Sequence, residues 1–233
     1  MAIKLVTFDL DNTLWHTDPV IARADKIQWQ SIVSNCPEAG LLFTPESFSK
    51  FKLDIIQENP SLRHKLSSLR LETLFQLFIQ CGLDKPQAQQ LSQQVFADFL
   101  RARNTVEFFP GALAMLEALQ QEFHIIALSN GNSDLKEIGI NHLFNAHFHA
   151  ENVALPKPHK DMFIAALEHS GVSASECIHI GDHPDQDIVA AKQLGMKTIW
   201  ANILQHHWPS SLPLADHEIN HLDQLSALIK SYQ

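Results

Sequence analysis

Cysteine is scarce in this 233-residue chain: Cys36, Cys81 and Cys177, odd in number and far apart. That excludes a disulfide framework and points to a reducing compartment. Long apolar runs are missing too. The longest, such as HIIALS at 124–129, are far too short to span a bilayer, so no membrane partner is expected. The N-terminal MAIKLVTFDLD meets acidic residues before a signal-peptide core can form, and a cytoplasmic protein is expected. Positive charge is in short supply. Seventeen Lys and Arg against 26 Asp and Glu leave a net charge of −9, which argues against a nucleic-acid partner. A small anionic substrate stays open, because a bound metal ion can reverse the field at one site. Fourteen histidines are many for this length, and the pairs His147/His149 and His206/His207 invite a zinc reading. No cysteine or second histidine pair stands at finger-like spacing, so no structural zinc is expected.

The composition, 45% hydrophobic and 18% charged, is that of a globular protein. Residues 3–8, 123–128, 177–181 and 197–201 read as short buried strands bounded by turn residues. Helical patterns separate the later ones: 110–122 with Pro110 at its start, 160–171 closed by Gly171, and 187–195. Strands and helices alternating at this spacing specify a parallel sheet with helices on its faces. Residues 15–103 differ. Thr44 and Pro45 supply an N-cap and a first helical position, and long helical patterns follow over 61–81 and 86–103, with Gly82 between them. With no strand there and no Gly/Ser linker, repeat or low-complexity tract, 15–103 reads as a helical insertion. The remaining segments, 1–14 and 104–233, make the α/β core, and a cleft is expected between the two parts. A monomer is the default expectation.

The chemistry starts at KLVTFDLDNTLW, residues 4–15. Residues two apart on a strand point the same way, so Asp9 and Asp11 fall together at the carboxyl end of the first strand. In an open parallel sheet, ligands bind there. Two carboxylates this close repel unless a cation or a proton lies between them. A bare Asp-x-Asp is equally a turn or a helix N-cap, and metal-dependent glycosyltransferases carry one as well. Further groups follow at later strand ends: Ser129, Asn130 and Gly131, where a hydroxyl and backbone N–H groups could hold phosphate oxygens; Lys157, between two prolines that stiffen its loop; and Asp182, Asp185 and Asp187 before a helix. Taken singly, each has a plain structural account: a serine N-cap, a solvated lysine, acids at a helix start.

Together FDLDNTLW, SNGN, PKP and GDHPDQD…A…LGM resemble the four motifs of the haloacid dehalogenase-like superfamily, over the whole chain. The resemblance implies a doubly wound, Rossmann-like α/β core with an all-helical cap inserted after the first strand. It implies Asp9 as the nucleophile that forms an aspartyl-phosphate. Asp11 becomes the general acid and then the base, its carbonyl also binding Mg²⁺. Thr13 positions these groups. Ser129, the Asn130 N–H and Gly131 hold the phosphoryl group, and Lys157 neutralises charge. Asp182 completes the Mg²⁺ shell. Asp187, at the usual spacing, is favoured over Asp185 as the second acid of its motif, acting on metal-bound water or orienting Lys157. The implied activity is Mg²⁺-dependent hydrolysis of a small-molecule phosphate ester.

Dehalogenating members lack a carboxylate at the position of Asp11, since halide leaves without a proton, so a 2-haloacid dehalogenase ranks behind a phosphatase. A phosphomutase shares all four motifs and ranks behind because the helical insertion is larger than a hexose mutase implies. A regulatory protein that has lost turnover should lack one of Asp9, Asp11, Lys157 and Asp182, and all four are present. FDLDNTLW…PVI and SNGNSDLKEIGINHLF resemble, more narrowly, bacterial phosphatases of FMN and of 5-amino-6-(5-phosphoribitylamino)uracil. Asn12 departs from the second aspartate of many relatives, without touching the chemistry. Trp15 and His16 are expected where core meets cap, packing the hinge rather than stacking on a substrate ring. Arg70 sits in a long helical pattern, where an ion pair or solvated face is the plain reading and contact with a substrate anion the alternative.

Overall fold

Leu5–Phe8 (β1) buries all four of its residues, as a strand does when helices cover both faces of a parallel sheet. In the computed structural model, which describes residues 2–232, β1 lies inside a six-stranded sheet of order β3-β2-β1-β4-β5-β6. The other strands are β2 (His124–Ser129), β3 (Ala146–His149), β4 (Cys177–Gly181), β5 (Lys197–Ala201) and β6 (His217–Ile219). Every pairing is parallel. The chain moves outward from β1 to β3, crosses back to β4 beside β1, and moves outward again. That is the doubly wound order anticipated from the sequence, and the reversal puts a switch point at the carboxyl ends of β1 and β4.

The chain divides into two compact units: residues up to Thr17 together with Val106 onward, and Asp18–Thr105. The second is helical throughout. It is built from α1 (Thr17–Asn35), α2 (Pro37–Leu42), α3 (Pro45–Glu58), α4 (Leu66–Gln80) and α5 (Lys85–Arg103). Thr44 caps α3, its side chain accepting from the Ser47 N–H while Pro45 takes the first turn. Asp84 and Gln87 cap α5 in the same reciprocal way. Leu74, Leu77 and Phe78 of α4 and Val95, Phe96 and Phe99 of α5 form the core of this unit with Ala24 and Ile32 of α1.

The sheet unit carries α6 (Ala112–Leu119), α7 (Leu135–Ile138), α8 (Asp161–Ser170), α9 (Ala190–Gln193) and α10 (Gln224–Lys230). Three local expectations need correction. Pro110 does not open α6, because Gly111 intervenes at φ +80° as the residue before the helix. The segment expected as one helix over 187–195 begins earlier, as a π-helical turn over Pro184–Val189, and only then becomes α9. The two edge strands were not anticipated: β3 is a half-buried AHFH and β6 a three-residue HEI, too short or too polar to register as apolar runs. The histidine pair of β3 packs ring to ring, with centroids 5.4 Å apart. Among the described residues, no helix is long and apolar enough to cross a membrane.

Candidate active site

Asp9 is the first residue past β1, and its N–H donates to the Ile180 carbonyl of β4 at 2.8 Å. The chain then turns at once. Thr13 and Leu14 N–H groups return to the Leu10 carbonyl, and Asn12 sits at φ +60°, a left-handed conformation that a short amide side chain tolerates. Asn12 Oδ1 accepts from the Thr17 N–H at 2.9 Å. This turn brings Thr13 Oγ1 back to donate to Asp9 Oδ2 at 3.2 Å.

Lys157 meets the other oxygen of Asp9. Its Nζ, almost wholly buried, donates to Asp9 Oδ1 at 2.7 Å and to Asp187 Oδ1 at 2.5 Å. Asn130, after β2, fixes the lysine's backbone. Asn130 Oδ1 accepts from the Lys157 N–H at 2.9 Å, while Nδ2 donates to the Lys157 carbonyl and to Gln186 Oε1, both at 2.8 Å. Sequence reading assigned Asn130 only its backbone N–H and did not single out Gln186. Ser129 is buried at the end of β2, its Oγ accepting from the Gly131 N–H at 2.9 Å.

The loop after β4 supplies the remaining acids. Asp187 is buried, and its Oδ2 accepts from the His183 N–H at 2.9 Å. Gly181 makes room for it: a Cβ there would stand 2.4 Å from Asp187 Cγ. Asp182 is half-buried, and its carbonyl accepts from Trp200 Nε1 at 2.7 Å. Asp185 is exposed, with its backbone N–H donating to His183 Nδ1. One carboxylate oxygen from each of Asp9, Asp182 and Asp187 lies within 4.8 Å of the others.

Asp11 sits differently from the expectation that it falls together with Asp9, while Trp15 packs as expected. The side chain of Asp11 is not in that cluster; its Oδ1 accepts from Trp15 Nε1 at 3.0 Å and from Thr17 Oγ1 at 2.8 Å. Trp15 is fully buried, edge-on to Phe108 with centroids 5.8 Å apart. It has no open face for a substrate ring; its indole N–H orients Asp11 instead. His16 is exposed. Arg70 stands in the helical unit on α4, paired with Asp25 at 2.8 Å.

His179 of β4 escaped sequence reading. The register sets it beside Thr7 of β1, with Nδ1 2.9 Å from Thr7 Oγ1 and Nε2 3.3 Å from Asp187 Oδ1. A carboxylate only accepts, so Nε2 donates, and the neutral ring takes the threonine proton at Nδ1. Burial holds this imidazole below its usual range, against the pull of Asp187.

Charge in the site is out of balance. Burial pushes Asp9 up to about 7, Lys157 opposing and Asp187 and Asp11 adding to the rise. Burial, with Asp9 and Asp187 nearby, pushes Asp182 to about 9. Burial acts on Asp187 as well, but Lys157 and His179 outweigh it and hold that carboxyl below its usual range. Lys157 in turn stays above its ordinary value despite burial, because Asp187 and Asp9 surround it. Three converging carboxylates around one ammonium form an all-oxygen donor set, which suits Mg²⁺.

A doubly wound sheet with acids from β1 and β4 and a lysine meeting at its switch point defines a class. Residues 3–195 match the model for haloacid dehalogenase-like hydrolases, and the chain belongs to that family. Over 231 residues, 97% of this chain and 96% of the relative, it is 27% identical to the 5-amino-6-(5-phospho-D-ribitylamino)uracil phosphatase YigB of Escherichia coli (strain K12). It is 26% identical over 206 residues, 86% of either chain, to a glyceraldehyde 3-phosphate phosphatase of Methanothermobacter thermautotrophicus. Among solved structures, a 2-haloacid dehalogenase from Pseudomonas syringae pv. Tomato DC3000 is similar with a TM-score of 0.94 and 36% identity, covering 99% of this chain and 100% of that one.

Proposed function

We propose that this hydrolase is a Mg²⁺-dependent phosphatase of small-molecule phosphomonoesters, acting through an aspartyl-phosphate on Asp9. The observation that carries the reading is the division of labour between the two aspartates of the first loop. Asp9 is held by Lys157 and Thr13 beside two further acids. Asp11 is held apart, on Trp15 and Thr17. The first arrangement serves a nucleophile and the second a proton carrier. Asp9 forms a bond to phosphorus as the ester oxygen departs with a proton from Asp11. Asp11 then takes a proton from water, which attacks phosphorus and frees Asp9. Lys157 screens the anionic nucleophile from the anionic phosphate. Ser129 and the N–H groups of Asn130 and Gly131 receive the phosphoryl oxygens. Mg²⁺, held by Asp9, Asp182, Asp187 and the Asp11 carbonyl, would add the positive charge that draws carboxylate and phosphate together.

For substrate, 5-amino-6-(5-phosphoribitylamino)uracil is favoured by the similarity to the Escherichia coli phosphatase along nearly the whole chain, and FMN by the narrower resemblance carried by FDLDNTLW and SNGNSDLKEIGINHLF. A second reading, dehalogenation of a 2-haloacid, is favoured by the solved structure at 36% identity. Asp11 weighs against it, because a departing halide needs no proton. The deciding experiment measures phosphate release from p-nitrophenyl phosphate, FMN and the uracil ester beside chloride release from 2-chloropropionate, with and without Mg²⁺. Phosphate release that needs Mg²⁺ and vanishes in Asp9→Asn is the expected result. Chloride release without phosphate release would overturn the phosphatase reading.

A further inference from the structure

The helical unit holds a concave site of its own. A cavity of about 450 Å³ opens among α1, α3 and α4, with Asp25, Lys26, Trp29, Phe48, Lys52 and Arg70 in its wall. That volume is within the range of small-molecule sites.

Its charge runs against the rest of the molecule. In a chain of net charge −9, this wall carries three cations and one carboxylate among the residues just named. Arg70 is fixed: its guanidinium stacks 3.5 Å over the Phe99 ring and donates to Asp25 Oδ1 at 2.8 Å and Gln28 Oε1 at 2.5 Å. Such a clamp leaves the guanidinium little rotamer freedom to lose when a ligand arrives. Lys52 is half-buried beside it, and among the described residues no carboxylate forms an ion pair with its ammonium. Burial, then the charge of Arg70, lowers the Lys52 pKa, and Asp25 only partly restores it. Asp25 pairs with Arg70 and not with Lys52, so the two neighbouring cations repel each other. An anion between them removes that cost.

The rest of the wall selects the body of the ligand. Trp29 and Phe48 stand with centroids 6.1 Å apart, tilted by 41°, and both are half-buried. Their exposed portions offer apolar area to a flat ring.

We propose that this cavity binds an aromatic anion, its ring against Trp29 and Phe48 and its acidic group on Lys52 and Arg70. The site belongs to the helical unit alone and does not depend on the phosphatase reading. It is tested on the full chain in Mg²⁺-free buffer containing EDTA by isothermal titration with 2-naphthoate. The neutral isostere 2-naphthamide and inorganic phosphate serve as the ring-only and charge-only probes. The expected result is saturable one-to-one binding of 2-naphthoate, weakened about tenfold or more by Lys52→Met, as loss of a charge-assisted contact implies. Binding is equally weakened when the amide replaces the acid, and it is unchanged in Asp9→Asn. Should Lys52→Met lose its helical circular dichroism, Lys52→Gln takes its place. No saturable heat, equal affinity for acid and amide, indifference to Lys52, or loss of binding in Asp9→Asn would each overturn the proposal. The failure of the phosphatase reading is seen separately, in phosphate release, because no phosphate ester is used here.

Discussion

Lys157 reaches Asp9 only because Asp187 holds its other side, and Asp187 can lie there only because position 181 has no side chain. A methyl group at Gly181 would stand 2.4 Å from Asp187 Cγ and 2.6 Å from its Cβ, so the whole carboxylate must move. Gly181→Ala is therefore expected to lower kcat on p-nitrophenyl phosphate by about 10²–10³, the scale of losing one preorganised charge contact, with circular dichroism unchanged. A wild-type kcat would show that Asp187 does not position Lys157. Trp15 gives a finer test. Trp15→Phe keeps an apolar ring against Phe108 but removes the N–H that Asp11 accepts. General acid help matters more for a poor leaving group than for p-nitrophenolate. The ratio of kcat on FMN to kcat on p-nitrophenyl phosphate should thus fall about tenfold or more, within the usual worth of general acid catalysis; equal losses on both would remove Asp11 from the acid role. Asp9 and Asp182 were legible in the sequence because each follows an apolar run, Lys157 because two prolines flank it, and Asp187 because it stands five residues past Asp182. His179 and Gln186 were not. Their partners, Thr7 and Asn130, lie 172 and 56 residues away and come near only through strand register and loop packing.

At the scale of elements, legibility followed burial and capping. The four strands nearest the middle of the sheet read clearly as apolar runs, since a strand covered on both faces has no polar alternation to blur it. The edge strands β3 and β6 carry half-exposed histidines and a glutamate, and their strand character comes from pairing with β2 and β5 rather than from their own residues. The π-helical turn after β4 was hidden for a similar reason. Asp187 is drawn inward by Lys157 and the His183 N–H, and the local backbone widens around that contact rather than following helical periodicity. Helix starts in the other unit were plainer. Thr44 with Pro45 is a purely local signal, and the structure realises it in full. The equivalent device on α5 can be measured. Asp84 Oδ1 accepts from the Gln87 N–H at 2.9 Å, and Gln87 Oε1 from the Asp84 N–H at 3.2 Å. Asp84→Ala should cost about 1 kcal/mol, read as a lower urea midpoint at constant m-value, and should leave kcat on p-nitrophenyl phosphate as it was. No change in midpoint would mean that water replaces the cap at this helix end.

For the molecule as a whole, the proposed Mg²⁺ site would couple metal binding to stability and pH. Asp9 at about 7 and Asp182 at about 9 lie far above the ordinary value of 3.8. The folded, metal-free protein therefore holds protons between pH 7 and 8.5 that the unfolded chain has already lost. A group whose folded pKa is raised contributes stability below its unfolded pKa and loses that contribution as pH climbs through the folded one, at up to about 1.4 kcal/mol per pH unit for each proton. Asp187 and Lys157 shift the opposite way relative to this window, the one titrating below it and the other above. The two depressed histidines, His147 and His179, titrate below it as well. Asp9 and Asp182 thus govern the interval. Mg²⁺ bound there, as proposed, would need the ionised carboxylates and would displace those protons, so its affinity should rise with pH, and ligand linkage would turn affinity into stability. The rise in Tm produced by a fixed Mg²⁺ concentration should therefore grow from pH 7 to pH 8.5, by about 2–4 °C for each kcal/mol gained in a chain of this size. Differential scanning calorimetry with and without Mg²⁺ at each pH isolates this quantity, because groups remote from the metal cancel in the difference. A Mg²⁺ increment that stays flat across the interval would mean that Asp9 and Asp182 are already ionised without metal, or that they do not hold it.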